Sequence, residues 1–167
     1  LNPKGGSGKT TITTNLARSL HERGHKVLIV DSDPQGSARD WHAADEKNPM
    51  PLVALDRANN VKSLPDVAAA YDFVVVDGAA KLEDMIAASI KITDFVLIPV
   101  TPSPYDLWAA SDLVEFIKAR QDGVAPEVQV ALYEYGKSSL KAETGWIRQI
   151  QPLTQDLDKI SEELFAL

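Results

Sequence analysis

The start of the chain has the residue types and the spacing of a loop that binds phosphate. It reads Lys-Gly-Gly-Ser-Gly-Lys-Thr-Thr, and its candidate nucleotide-binding residues are Gly5, Gly6, Ser7, Gly8, Lys9, Thr10 and Thr11. Glycines let backbone N–H groups converge on phosphate oxygens, and a following helix adds the positive end of its dipole. Lys9 would neutralise the β- and γ-phosphates, Thr10 would offer its hydroxyl to Mg²⁺, and Thr11 could reach an inner phosphate. The spacing predicts a Mg-dependent nucleoside triphosphate site, and the alternative is a flexible glycine-rich turn.

One position departs from the strict pattern of such loops. That pattern has a glycine six residues before Lys9, where this chain has Pro3. A second lysine, Lys4, stands directly after this proline. We therefore assign the loop to a variant class.

Three aspartates lie where a nucleotide site needs carboxylates. Asp31 and Asp33 follow the apolar run 27–30, and Asp77 follows the run 73–76. The carboxyl ends of parallel strands are where such sheets bind ligands. A carboxylate there can hold the water shell of Mg²⁺ or position the attacking water. The alternatives are a turn or a helix cap for Asp77, and a turn for the Asp31 and Asp33 pair.

Prolines stiffen the segment 98–104, which ends another apolar run. Pro99 and Pro102 are candidates to flank a nucleotide base, and a plain rigid loop is the alternative. Metal-ligand spacing is absent among His21, His25 and His42, which we assign no role. We interpret Trp41 and Trp108 as packing or interface residues rather than as residues that stack on a base. These residues add no second chemistry.

The elements that would position these residues alternate along the chain. Continuous β-branched runs at 27–30, 73–76 and 95–98 predict strands covered on both faces. Helical spacing marks 10–23, 82–91, 105–121 and 60–70, and weaker strand signals mark 51–56 and 127–132. This alternation predicts an α/β P-loop NTPase fold, a mostly parallel sheet with helices on both faces. With 167 residues, we expect a single domain over 1–167.

The end of the chain carries an apolar stripe at helical spacing. Its members are Trp146, Ile150, Leu153, Leu157, Ile160 and Leu164. Acidic neighbours such as Asp156 and Glu162 oppose anionic lipid, so the stripe predicts a helix docked on the core. Before it, residues 132–145 show no clear periodicity. Only Leu1 remains of the strand that normally precedes a phosphate loop, so we expect missing residues at the N-terminus and near 131–132.

Composition restricts the function classes. The formal charge is −7, so any contact with nucleic acid must be a local patch. Lys137, Lys141 and Arg148 form the densest late basic cluster and suit a DNA backbone, or else an ordinary solvated face. The absence of cysteine removes thiolate metal sites and redox chemistry. No apolar run is long enough for a membrane span, so we expect a cytoplasmic protein with no membrane partner.

The motifs match a known family. Lys4-Gly-Gly-Ser-Gly-Lys-Thr-Thr, Asp31-Ser-Asp-Pro-Gln-Gly and Val76-Asp77-Gly resemble the ParA/MinD deviant Walker ATPases. Leu1-Asn-Pro-Lys-Gly-Gly and the 98–106 segment resemble the small ParF-like plasmid partition ATPases within that family. The likeness covers roughly residues 1–125. It implies one deviant-Walker ATPase domain that hydrolyses ATP to ADP with Mg²⁺.

The resemblance also implies a mechanism and partners. Lys4 would be the signature lysine that reaches the partner's phosphates across an ATP-sandwich homodimer. Asp33 would orient the attacking water, with Asp31 and Asp77 supporting Mg²⁺. Such proteins bind non-specific DNA as ATP-bound dimers, which places them on the nucleoid. A centromere-binding adaptor of the ParB/ParG kind stimulates their slow hydrolysis, so we expect an ATP-dependent DNA partition ATPase.

Two other ATP-consuming functions remain open at the level of sequence. One is a MinD-like cell-division regulator, against which the acidic tail counts because a MinD anchor helix is basic. The other is a metabolic P-loop enzyme of the dethiobiotin synthetase type, against which Lys4 and the Asp-Ser-Asp-Pro-Gln run count. A module that binds nucleotide without hydrolysing it is a further alternative.

Overall fold

The computed structural model describes residues 1–2, 5–55, 57, 63–79, 83–101, 103–121, 128–135 and 147–165. These residues form two compact units, one of Gly8–Ile92 and the other of Leu1–Ser7 with Thr93–Leu167. Along the chain, the division between the units falls within the phosphate-loop motif, between Ser7 and Gly8. The predicted single domain over 1–167 stays a prediction.

The Gly8–Ile92 unit alternates helix and strand. Its helices are α1 (Lys9–Glu22), α2 (Ser37–Ala43), α3 (Leu64–Ala68) and α4 (Glu83–Ile90). Its strands are β1 (Val27–Asp31), β2 (Leu52–Ala54) and β3 (Phe73–Asp77), arranged in the order β2-β1-β3. Both pairings are parallel, and Asp31 lies opposite Asp77 in the register. The two strands therefore bring both aspartates to one edge of the sheet.

The central strand β1 is buried along its whole length, because side chains alternate between two covered faces. On one face Leu28 and Val30 pack in a cluster with Leu64 of α3 and Met85 of α4. The other face packs in a second cluster, formed by Ala17 of α1, Val27, Ile29 and Met50. Full burial of a side chain such as Ile29 contributes roughly 1.5–3 kcal/mol. Helices on both faces of a parallel sheet confirm the predicted α/β class.

The second unit contains β4 (Phe95–Val100), α5 (Pro104–Gln121), β5 (Gln129–Tyr135), β6 (Ile147–Thr154) and α6 (Leu157–Phe165). Strands β4 and β5 pair in parallel, and β5 and β6 pair antiparallel. The backbone nitrogen of Leu1 lies 2.6 Å from the Leu97 carbonyl oxygen, and Asn2 Nδ2 donates to the Pro99 carbonyl at 2.9 Å. The first two residues are therefore held along β4.

Most predicted elements are confirmed within a few residues. The three strong strand predictions correspond to β1, β3 and β4, and the weaker ones at 51–56 and 127–132 correspond to β2 and β5. The predicted helices appear as α1, α3, α4 and α5. Helix α2 was not predicted, because its seven residues are too few to show an apolar period. Ala131 and Leu132 both lie within β5, and the predicted missing residues stay a prediction.

The prediction of one helix through the apolar stripe at the end of the chain was wrong in its first half. Residues 147–154 form strand β6, which includes Ile150 and Leu153 of the stripe. Helix α6 contains Leu157, Ile160 and Leu164, of which Leu157 and Ile160 are buried. Pro152 gives the physical reason, since a helix interior excludes proline and a strand tolerates it at an irregularity. The β5–β6 register shifts between Val130 and Leu132, the pairs whose β6 partners are Thr154 and Gln151. Pro152 lies inside that shift.

None of the helices in the part of the chain described above is long and apolar enough to cross a membrane.

Candidate functional site

The phosphate loop leads into α1 through glycines in the left-handed region. Gly6 has φ 76° and Gly8 has φ 74°, values that favour glycine over any residue with a Cβ. A Cβ added at Gly5 or Gly6 would meet no atom within 4 Å. The first turn of α1 has no side-chain cap and no acidic residue. Its N–H groups and positive dipole end therefore suit a bound anion.

Thr10 and Asp77 are the central pair of the site. Thr10 Oγ1 donates a 2.7 Å hydrogen bond to Asp77 Oδ2. Asp77 is only 1% exposed, and within the described ranges its Oδ1 has no hydrogen-bond partner. Such an orphaned buried oxygen calls for a ligand, a water or an ion. A hydroxyl beside a carboxylate is an oxygen donor set that suits Mg²⁺.

The charges around this pair act on one another. Burial raises the pKa of Asp77, and the charges of Asp31 and Asp33 raise it further, against the Thr10 hydrogen bond and Lys9, which lower it. Burial lowers the pKa of Lys9, while the charges of Asp77 and Asp33 raise it. The desolvated lysine therefore lies in the field of at least two carboxylates. A bound cation near Asp77 would offset the repulsion among those carboxylates.

Asp31 at the end of β1 and Asp33 in the loop that follows accept several local hydrogen bonds. The buried Asp31 accepts the Asp33 N–H on Oδ1 at 3.0 Å and the Arg39 N–H on Oδ2 at 2.9 Å. Asp33 Oδ1 accepts the Gln35 N–H at 2.9 Å. Ser32 ties the loop to β3, because its N–H and its hydroxyl both donate to the Asp77 carbonyl, at 3.0 and 2.8 Å. The loop therefore fixes where the carboxylate of Asp33 stands.

The Gly8–Ile92 unit thus brings together five of the predicted site residues, namely Lys9, Thr10, Asp31, Asp33 and Asp77. Thr11 is exposed at the start of α1, and Ser7 is buried. Pro99 lies in the other unit and is buried in β4. Lys4 and Pro102 lie outside the described residues. The individual roles of all these residues, including base contacts by Pro99 and Pro102, stay predictions.

Other polar and aromatic residues have local contacts. Nε2 of His42 lies 2.8 Å from the Met50 carbonyl, and the His25 ring packs edge-on against Phe73. Trp108 is 60% exposed and packs edge-on against Tyr105. The structure does not describe the side chains of Lys137, Lys141 and Arg148. Their predicted role as a basic patch for the DNA backbone stays a prediction. The described ranges hold no cluster of three or more His, Cys, Asp or Glu residues that could bind a metal.

The sequence reasoning assigned no role to Gly36, which ends the loop after β1, or to Arg39 in the first turn of α2. Arg39 Nε lies 3.3 Å from Asp31 Oδ2, and Arg39 Nη2 donates to the Asp33 carbonyl at 3.0 Å. Gly36 has φ 72°, and a Cβ there would lie 2.9 Å from Arg39 Nε. The sequence carried no local signal for this contact, because it depends on the turn that the positive φ of Gly36 permits.

Comparison with known proteins places the chain in a family. The model of the CobQ/CobB/MinD/ParA nucleotide binding domain matches residues 1–162. The chain is 40% identical over 135 residues to the maintenance of carboxysome distribution protein A of Halothiobacillus neapolitanus, covering 78% of this chain and 62% of that protein. It is 29% identical over 133 residues to protein ParA of Rhizobium radiobacter, covering 77% of this chain and 59% of that protein.

Among solved structures, cobyrinic acid a,c-diamide synthase from Mycobacterium smegmatis with bound ADP and magnesium shares the fold. Its TM-score is 0.72 at 19% identity, covering 99% of this chain and 90% of that chain. The two sequence relatives are longer, and this chain spans about three fifths of each, 62% and 59%. The family predicted from the sequence is thereby confirmed: this chain belongs to the CobQ/CobB/MinD/ParA nucleotide-binding domain family.

Proposed function

We propose that this chain binds ATP with Mg²⁺ and hydrolyses it slowly, as the switch of a homodimeric ATPase that distributes a cargo inside the cell. The observation that carries the proposal is the Thr10–Asp77 pair. It places a hydroxyl 2.7 Å from a buried carboxylate whose second oxygen has no hydrogen-bond partner within the described ranges. The family to which the chain belongs binds nucleotides. This pair is the feature of the site that most needs a cation.

The residues divide the work as follows in the proposal. Backbone N–H groups at the start of α1 and the Lys9 ammonium bind the phosphates, and Thr10 with Asp77 holds the cation. Bound Mg²⁺ supplies charge neutralisation on the phosphate oxygens. Asp33 orients a water molecule, and Asp31 keeps the loop that carries Asp33 in place. The positive charge of Lys4 stabilises the phosphates bound by the partner protomer, so that hydrolysis depends on dimerisation.

The switch is tested by comparing oligomeric states. Light scattering during size exclusion should show a dimer with a non-hydrolysable ATP analogue and Mg²⁺, and a monomer with ADP. Asp33→Ala should give the dimer with ATP itself, because phosphate contacts persist while water positioning fails. Phosphate release should fall by about 10²-fold in that variant. Wild-type phosphate release by Asp33→Ala would reject the role of Asp33, and a chain that fails to bind nucleotide would reject the whole proposal.

We propose DNA, a plasmid or a chromosome, as the first candidate cargo. The ParA relative and the partition-type motifs of the phosphate loop support it. An ATP-bound dimer would bind random duplex, and a centromere-binding adaptor would stimulate hydrolysis. Gel shifts with ATP should show binding that weakens steeply from 50 to 200 mM salt, with little binding in ADP. Equal binding in both nucleotides would contradict a nucleotide-gated DNA contact.

A second candidate cargo is supported by one specific observation. The identity of 40% to a protein named for maintenance of carboxysome distribution exceeds the 29% to protein ParA over a similar length. Under this candidate the ATPase switch is the same and the cargo differs. Deletion in the organism that encodes the chain, followed by imaging of labelled carboxysomes and of labelled replication origins, separates the two. Clustered carboxysomes with normal origin spacing would favour the second candidate.

Two of the alternatives raised by the sequence predict different behaviour. A MinD-like regulator would bind anionic vesicles in ATP, which a vesicle sedimentation assay detects. A metabolic enzyme of the dethiobiotin synthetase type would consume ATP only with a small acceptor and would not dimerise on ATP. Lys4 in the phosphate loop supports the switch over the metabolic enzyme.

A further inference from the structure

The side chain of Arg39 contacts the last residue of β1 and two residues of the loop that follows it. We call residues 32–36 the β1 loop. Arg39 Nε lies 3.3 Å from the carboxylate of Asp31, at the end of β1. Arg39 Nη2 donates to the carbonyl of Asp33 at 3.0 Å and to that of Pro34 at 3.3 Å. One guanidinium therefore joins the strand end to the two residues that carry the turn.

The backbone next to Arg39 supports the same arrangement. The Arg39 N–H donates to Asp31 Oδ2 at 2.9 Å, and the Gly36 N–H donates to the Asp33 carbonyl at 2.9 Å. Asp31 is fully buried, and both of its carboxylate oxygens accept hydrogen bonds from this region. An ionised carboxylate in such a place needs a partner of opposite charge. Arg39 is that partner, and it reaches Asp31 across the β1 loop.

Gly36 provides the space for the guanidinium. A Cβ at this position would lie 2.9 Å from Arg39 Nε, closer than real Cβ atoms approach, and 3.0 Å from Nη2, so the guanidinium would have to shift. Gly36 also has φ 72°, which residues with a side chain rarely adopt. The glycine therefore has two roles: it permits the turn, and it leaves space for the guanidinium of Arg39.

We propose that Arg39 is a positioning residue, which holds the β1 loop in the conformation that presents the Asp33 carboxylate to the reacting water. This rests on the proposed function, in which Asp33 orients that water. The planar guanidinium is needed because it reaches a carboxylate and two carbonyls at once, whereas a lysine presents a compact charge. In this proposal Asp31 stabilises the β1 loop by pairing with Arg39, whereas Thr10 and Asp77 bind the cation.

The test compares Arg39→Lys and Arg39→Ala with Arg18→Lys, a matched control. Arg18 pairs with Glu22 on the exposed side of α1, and its side chain is 52% exposed, so its replacement should leave the site untouched. Hydrogen exchange of the nucleotide-free chain should show amide protection in the β1 loop falling by about 10-fold or more in both Arg39 variants. Arg18→Lys should keep wild-type protection. Wild-type protection in both Arg39 variants would overturn the proposal, whatever the chain's activity.

Kinetics supply the second readout. Arg39→Lys should lower kcat by about 10-fold or more while the Kd for a non-hydrolysable ATP analogue stays within about 3-fold of wild type, because only water positioning is lost. Unchanged kcat, or equal losses in kcat and affinity, would overturn the positioning role. Failure of the wild-type chain to bind Mg-ATP would instead reject the proposed function, so the two failures are distinguishable.

Gly36→Ala gives an independent check through the same contact. Its added Cβ displaces Arg39, so kcat should fall as in Arg39→Ala. The same change made in the Arg39→Ala background should lower kcat further by less than it does alone, because the clashing guanidinium is already gone. Full additivity of the two changes would show that Gly36 acts only through its own backbone and would contradict its link to Arg39.

Discussion

The Thr10 hydroxyl donates to Asp77 Oδ2 at 2.7 Å and joins the first turn of α1 to the carboxyl end of β3. These residues are far apart in sequence, and the parallel sheet brings them together. Asp77 keeps Oδ1 buried with no hydrogen-bond partner within the described ranges. The site therefore contains one unsatisfied carboxylate oxygen beside the Thr10 hydroxyl.

The first prediction concerns the hydroxyl of Thr10. Thr10→Val keeps the shape and removes the donor, so Asp77 Oδ2 loses its hydrogen bond and joins Oδ1 as an unsatisfied oxygen, and the cation loses one donor. Affinity for a non-hydrolysable ATP analogue with Mg²⁺ should fall by about 10- to 100-fold, corresponding to about 1–3 kcal/mol for an unsatisfied buried group. Calorimetric titration measures it, with EDTA as the Mg-free comparison. Thr10→Ser should restore most of the affinity, and an unchanged Mg-dependent Kd in Thr10→Val would contradict the assignment.

The second prediction concerns the charge of Asp77. Burial raises the pKa of this carboxyl above its ordinary value of 3.8. An acid with a raised folded-state pKa stabilises the fold below its unfolded pKa, and that contribution is lost as pH rises through the folded value. At neutral pH without Mg²⁺ the carboxylate is therefore a destabilising group. Asp77→Asn should raise the Tm of the nucleotide-free chain by about 2–4 °C and remove the additional stabilisation by Mg-ATP.

Thermal unfolding at pH 5 and pH 8, with and without Mg-ATP, checks the Asp77 prediction. The gain in Tm should be larger at pH 8, where the wild-type carboxylate is more ionised. The matched control is Asp66→Asn, an exposed residue in the first turn of α3, which should behave like wild type at both pH values. A lower Tm in Asp77→Asn with full Mg-ATP stabilisation would contradict both parts of the prediction.

The sequence was sufficient for features that are local. The glycines and Lys9 of the phosphate loop form a contiguous motif, and Asp31 and Asp77 end continuous apolar runs that predicted strands. Strand β1 is buried throughout as expected, whereas β3 is exposed at Phe73 and half-buried from Val74 to Val76. Arg39 was not predictable in the same way, because its partners depend on the turn that Gly36 permits. Strand β6 depends on hydrogen bonds to β5, which no periodicity within residues 147–154 can report, and the spacing of Ile150 and Leu153 favoured a helix instead. Short α2 offered too few residues for a pattern.

The third prediction concerns Lys9, whose pKa burial lowers from the ordinary value of 10.5. A base with a lowered folded-state pKa destabilises the fold while it is charged, and stability returns as pH rises from the folded value towards 10.5. Without nucleotide, Lys9→Met should therefore be more stable than wild type at pH 7.5. The wild-type chain should gain stability as pH rises into the alkaline range and Lys9 loses its charge, and Lys9→Met should not. The same variant should lose nucleotide binding, because the phosphates lose their main counter-charge.

Urea unfolding at pH 7.5 and near pH 10 measures the stability part of the Lys9 prediction, and calorimetry with an ATP analogue measures the binding part. Lys91→Met is the control, since Lys91 is exposed and lies outside the site. It should leave both the stability difference and the affinity unchanged. Retained nucleotide affinity in Lys9→Met would count decisively against the phosphate site.

The last prediction separates the two lysines of the phosphate loop. Any loop of this kind needs the lysine at position 9, whereas Lys4 is proposed to act on the partner protomer. Lys4→Ala should therefore keep nucleotide affinity within about 10-fold of wild type and lose the ATP-dependent dimer. The comparison is sharpest in an Asp33→Ala background, where hydrolysis cannot dissolve the dimer. Light scattering that shows a normal ATP dimer in Lys4→Ala/Asp33→Ala would reject the sandwich, and the site built by Thr10 and Asp77 would then belong to an ATPase that acts as a monomer.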